Sequence, residues 1–190
     1  MMNVGTKSVL FGAHQFAIHP WFVAAAWWKL YGFPRDPRLW VAFFVHDIGY
    51  FGKPNMDGLE GEQHPHTGAN IMRIFGEEWH DFSLYHSRFL AKQDGKHFSR
   101  LCVADKLAIC LTPAWLYLPM ARATGEIKEY MKDAAEGQYK TMNLATISQK
   151  AWFASVKEYL LRWVAEHKDM REDTWTPIKK EVLNEHGVWK

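Results

Sequence analysis

A chain of 190 residues is long enough for one well-buried core and short for two, so a single domain is expected over 1–170 with a tail at 171–190. Hydrophobic content of 48% and charged content of 23% are those of an ordinary soluble globular protein. A formal charge of +2 gives no field that would announce DNA or an acidic membrane, so nucleic acid is unsupported as a partner and a membrane is not expected.

Residues 1–18 have no sustained hydrophobic period and read as an irregular lead-in with a short helix. The most apolar stretch, Trp21 to Trp28, is closed by Lys29 well short of a membrane span. His19-Pro20 opens the first firm helix, because proline at the first helical position sacrifices no hydrogen bond. Trp21, Val23, Ala24, Trp27, Trp28 and Tyr31 form its apolar face, and Gly32 ends it. Asp36-Pro37 repeats the start signal for a second helix through Leu39, Trp40, Phe43 and Phe44 to His46-Asp47. Gly49, Gly52, Pro54, Asn55, Gly58 and Gly61 then impose a long loop over 49–63. Loops of that length in compact domains are usually functional or disordered.

His64-Pro65 begins a third helix ending at Gly76, and a fourth is expected over 77–92. Residues 98–111 form an almost wholly apolar helix with Asp105 inside it, a carboxylate that needs a partner because an unpaired buried charge is very costly. Pro113 and Pro119 bracket a short aromatic segment, a short helix follows over 125–135, and Gly137 marks a linker. The last strong helix runs over 146–167, with Trp152, Val156, Tyr159, Leu160 and Trp163 on one face, and Pro177 breaks the charged tail beyond it. No strand is expected, which makes the class all-α. Cys102 and Cys110, eight apart on one helix, cannot form a disulfide without distortion and suggest small buried thiols in a reducing compartment, the cytoplasm. Ten Trp and twelve Phe are mostly core, with a share left over for a ligand wall or a homo-oligomer face.

His46-Asp47 places an imidazole and a carboxylate at the end of an apolar helix, where both can serve one ion. His80-Asp81 repeats the pair in a solvated setting and is not expected to bind metal. His19 and His46 are separated by one helix, a turn and a helix running back, so antiparallel packing would bring them together, with Asp105 closing the group from a later helix. His14 competes with His19 for that place, and His66 with His64 at the third helix. His97, His167 and His186 fit surface or tail positions.

In order, His19, His46-Asp47 and the Asp105 of Ala104-Asp105-Lys106-Leu107 resemble the H...HD...D signature of the HD-domain superfamily of metal-dependent phosphohydrolases. His64-Pro65-His66-Thr67-Gly68-Ala69 resembles the His-Pro-x-x-Gly-Ala element between those motifs, and His86 the later histidine of two-metal members; the likeness covers about 14–111. The resemblance implies a compact HD-domain-like helical bundle with a first ion on His19, His46, Asp47 and Asp105. Asp47 would bridge to a second on His64 and His86. One or two divalent ions are implied (Mn, Fe, Co or Zn, with Mg admitted), acting on a phosphate ester or anhydride of a small nucleotide-like molecule through a metal-activated water. The chain departs from the pattern at Tyr50, where many members have Lys or Glu three positions after the Asp. Phosphate neutralisation is then expected of Lys53 and Arg88 foremost, with Lys92 and Lys106 behind them, while Tyr50, Asn55 and Asp57 stand in the loop where a substrate would meet them. The rival readings are a non-catalytic metal- or ligand-binding HD module and a di-iron HD-type oxygenase.

Overall fold

Three helices among the described residues start under a side-chain cap. Asp36 accepts a hydrogen bond from the Arg38 backbone N–H at 2.9 Å and Pro37 follows, which begins the helix Pro37–Val45. Ser87 Oγ accepts from Leu90 N, and Ser148 Oγ from Ala151 N, in the same way. Gly32 ends α2 with a φ of +86°, a left-handed value that costs glycine little and other residues more.

In a computed structural model, residues 2–136 and 146–176 are described. They contain ten α-helices and no strand: α1 (Val4–Phe11), α2 (His19–Tyr31), α3 (Pro37–Val45), α4 (Pro65–Met72), α5 (Glu77–Leu84), α6 (Arg88–Gln93), α7 (Arg100–Leu111), α8 (Ala114–Thr124), α9 (Glu126–Ala135) and α10 (Gln149–His167). The class is therefore all-α, as expected. The linker expected at Gly137, the break at Pro177 and His186 lie outside the described residues.

Two apolar centres hold the helices together. In the first, α2 and α7 pack along each other with α3 and α10 at their sides, burying Val23, Trp27, Phe43, Leu101, Val103 and Trp163. In the second, α1, α8, α9 and α10 enclose Val9, Tyr117, Ile127, Tyr130, Trp152 and Phe153, joined by Tyr50 and Met56 from the long loop. Cys102 is buried and Cys110 half-buried, and both are free thiols. Among the described residues no single helix is long and apolar enough to cross a membrane.

Three expectations change. The helix expected over 77–92 is two, because the chain breaks at Tyr85–Ser87 and resumes under the Ser87 cap; neither proline nor glycine marks the break. Pro119 lies inside α8 rather than at its boundary. It removes the donor that the Trp115 carbonyl would have used, on a face where Trp115 is open to water, so the loss is tolerated. His167, expected at the surface, is fully buried. Residues beyond α10 turn back over it: Asp173, itself buried, accepts from Trp163 Nε1 at 3.2 Å, Trp175 N at 2.9 Å and Thr176 N at 3.1 Å, and stands 3.7 Å from His167 Nε2.

Candidate metal centre

Adjacent helical residues point about 100° apart, so His46 and Asp47 can share a target only where the helix is ending. That is where they stand. α3 stops at Val45, His46 keeps helical angles, and Asp47 (φ −98°, ψ −1°) passes the chain into a short 3-10 turn over Ile48–Tyr50. Pro20 at the start of α2 leaves His19 at the same depth, and α7 brings Asp105 across from the core.

These four residues form one group of buried donors, and Asp47, His64 and His86 form a second; within each group the ligand atoms lie within 4.8 Å of one another. In the first, His19 Nε2 is 3.0 Å from Asp105 Oδ1 and 3.6 Å from Asp47 Oδ2, and His46 Nε2 is 3.2 Å from Asp47 Oδ2. In the second, His64 and His86 Nε2 lie 3.5 and 3.4 Å from Asp47 Oδ1. Asp47 thus gives one oxygen to each group.

The three imidazoles of α3, α4 and the α5–α6 break are aimed by one device. His46, His64 and His86 each donate Nδ1–H to the carbonyl three residues earlier, Phe43 at 2.9 Å, Gly61 at 2.7 Å and Ser83 at 2.6 Å. A carbonyl only accepts, so in the neutral ring the proton is on Nδ1 and the Nε2 lone pair points inward. The break that splits α5 from α6 is what turns His86 into the group.

The residues fit a divalent cation. His46 Nε2 and Asp47 Oδ2 are both buried, 3.2 Å apart, and reach no hydrogen bond of good geometry, a strained pairing that a cation between them would relieve. Imidazole and carboxylate donors suit Zn, Mn, Fe or Co. Burial alone would raise the Asp47 pKa, but the charge of His46 and hydrogen bonds from His46, His64 and His86 hold it well below the carboxylate range. Burial likewise opposes ionisation of Asp105, and Lys106, His19 and His46 overcome it. Burial lowers His64 to about 4. For His46 burial also acts downward, yet Asp47 and Asp105 together raise it to about 10.

The remaining candidates are placed as follows. His66 is exposed, whereas His64 lies in the second group. Tyr50 is buried and stacked on His64, ring centroids 3.8 Å apart and planes 13° apart; burial, then nearby carboxylates, push its phenol well above the usual range. Where the resembled pattern has a charged residue, this chain has a neutral wall that fixes the His64 ring. Arg88 donates to the Tyr159 hydroxyl at 3.1 Å and lies over the Trp163 ring at 5.0 Å, so its guanidinium is turned toward α10. Lys53 follows Tyr50 in the loop, partly buried, its carbonyl bonded by Gly5 N at 3.1 Å; Lys92 is partly buried in the last turn of α6. Lys106 comes nearest the centre, with Nζ 2.7 Å from Asp105 Oδ2. His80-Asp81 is a surface pair 2.9 Å apart.

Glycines let the elements approach. A Cβ on Gly49 would meet the His64 carbonyl oxygen at 1.9 Å, and one on Gly68 the Val45 carbonyl oxygen at 2.5 Å. The Gly of the His-Pro-x-x-Gly-Ala element is thus the contact through which α4 sits against the end of α3. The chain matches no protein-family model, no curated protein and no solved structure with which it was compared. The helical fold and the buried His/Asp groups are compatible with an HD-like fold and with metal binding.

Proposed function

We propose that the chain is an HD-type metal-dependent phosphohydrolase acting on a phosphate ester or anhydride of a small nucleotide-like molecule. The observation that carries this reading is the division of Asp47, one oxygen to the His19–His46–Asp105 group and the other to the His64–His86 group. Two cations held by one carboxylate would lower the pKa of a water and neutralise phosphoryl oxygens, the chemistry that displacement at phosphorus requires.

The chain's own groups support the same chemistry. Lys106 balances the second oxygen of Asp105 and so places a positive charge beside the centre. Tyr50 and the backbone carbonyls of Phe43, Gly61 and Ser83 keep the imidazoles from turning away. Arg88 acts on the substrate only if its side chain swings away from Tyr159 and Trp163, which makes Lys106 the first cation to test.

Purified protein supplied with Mn, Co, Fe or Zn is expected to release phosphate or pyrophosphate from some member of a nucleotide panel, and His46→Ala with Asp47→Ala to abolish it. Activity that survives the double substitution overturns the assignment. The six donors are also suited to two irons; dioxygen uptake without phosphate release would identify an oxygenase, and ligand binding without either a non-catalytic module.

A further inference from the structure

Beside the centre lies a pair of polar residues, Glu126 and His14, that the metal groups do not use. Glu126, at the start of α9, is fully buried. Its Oε1 accepts from Ala13 N at 3.2 Å and from Thr124 Oγ at 2.6 Å; its Oε2 faces His14 Nδ1 at 3.4 Å and makes no hydrogen bond. Burial would raise the Glu126 pKa, but His14, Thr124 and the Ala13 N–H keep it below the usual range, so it is a carboxylate. A carboxylate at that depth is there for a partner. Ser8 Oγ, 3.0 Å from the same His14 nitrogen, completes the cradle.

With Nδ1 turned toward Glu126 and Ser8, the His14 ring packs between His19, centroids 5.9 Å apart, and Tyr50, 5.1 Å apart. Its side chain keeps 17% of its surface open, and Nε2 hydrogen-bonds no protein atom among the described residues. His14 is outside both donor groups, its ring beside that of His19 rather than among the ligand atoms. The arrangement is that of an imidazole whose Nδ1 faces a buried carboxylate and whose Nε2 is left for a ligand.

We propose that His14 is a substrate-contacting residue of this centre, its doubly protonated ring directing Nε2–H at a phosphoryl oxygen seated over the His/Asp cluster, and that Glu126 is its positioning residue. This rests on the phosphohydrolase reading for the kind of ligand, and on the geometry alone for the dyad.

The test titrates inorganic phosphate into the full-length, Mn-loaded protein and measures metal content alongside. His14→Ala is expected to keep the wild-type metal content and to bind phosphate about tenfold more weakly or worse, the usual loss for a hydrogen bond to a charged group. Glu126→Gln should weaken phosphate less and alter the His14 imidazole nitrogen resonances, with Glu126→Asp recovering part of both. Should Glu126→Gln fail to fold, those resonances in the wild-type protein carry the test: they must show both Nδ1 and Nε2 protonated in the phosphate complex, and Nε2 must move on phosphate addition. His14→Ala that loses metal, or that binds phosphate as the wild type does, overturns the proposal, as does a wild-type protein that binds no phosphate. Phosphate binding that depends on His14 without hydrolysis of any nucleotide upholds the dyad and removes the phosphohydrolase.

Discussion

His64 and His86 face each other Nε2 to Nε2 across 3.1 Å, and each has its Nδ1–H bonded to a backbone carbonyl. Two lone pairs at that separation repel, and burial lowers both pKa values, so a shared proton is not the natural remedy. A cation is. The protein is therefore expected to bind two divalent ions, and His64→Ala with His86→Ala to bind one, measured as metal per chain after dialysis. Metal that binds only the folded state stabilises it by about 2.7 kcal/mol at a hundred times Kd, so added Mn or Zn should raise Tm and a chelator lower it.

Asp47 belongs to both groups, so its loss differs from that of any histidine. Asp47→Asn keeps the shape but removes the charge and one acceptor. Both ions should bind far more weakly, and any turnover should fall to background. A variant holding one ion at wild-type affinity would show that Asp47 does not bridge. Metal analysis and the nucleotide panel, run on the same preparation, read both outcomes.

The two groups should also differ in pH dependence. In the metal-free protein His46 is raised to about 10, so the folded state holds its proton more tightly than the unfolded chain. The stability this gives is fully present below about 6.5 and is lost as pH rises through about 10. An ion entering the first group must expel that proton, so its affinity should rise roughly tenfold per pH unit between about 6 and 8. His64, lowered to about 4, is already neutral there, and the second group should change little. Calorimetry in buffers of different ionisation enthalpy counts the released protons, and at the ligands more are expected for the first ion than for the second.

The parts of the site visible in the sequence are those with a local marker. His19 and His64 each precede a proline at the start of a helix, and Asp105 stands out because a charge inside an apolar helix needs an explanation. The setting of His14 is not visible, because the partner that defines it, Glu126, lies 112 residues away and in sequence is only an acid in a first helical turn, as surface helices have. His167 misleads for a related reason. It ends an amphipathic helix and precedes a charged segment, which suggests solvent, and only the return of Asp173 and Trp175 across it makes it core. The break before Arg88 has no proline or glycine, so periodicity carries the helix straight through the residue that must leave it.

That return segment should be measurable as stability. Asp173 is the common acceptor for the Trp163 indole and the backbone N–H groups of Trp175 and Thr176, and Asp173→Ala leaves all three without it. A loss of about 2 kcal/mol or more is expected, a fall in Tm of roughly 4–8 °C, with metal content unchanged. Burial opposes its ionisation while Thr176, Trp163 and Arg88 favour it, and the net pKa is lowered. Its contribution is therefore present above about 3.9 and disappears as pH falls through the lower folded value, so wild type and variant should converge in acid.

Gly49 joins the two halves of the site by the absence of a side chain. A Cβ there would stand 1.9 Å from the His64 carbonyl oxygen, where real contacts are above 3.0 Å, and the obstacle is backbone that cannot rotate aside. In Gly49→Ala the start of α4 has to move away from the end of α3 by more than an ångström, carrying His64 with it. His19, His46 and Asp105 come from α2, the end of α3 and α7, and do not ride on that segment. Gly49→Ala is expected to cost about 1–3 kcal/mol of stability and to release the second ion while retaining the first. Metal content and thermal unfolding, measured together, check it. Equal weakening of both ions would mean that α4 and the end of α3 shift as one body, and an unchanged metal content that the contact does not position His64.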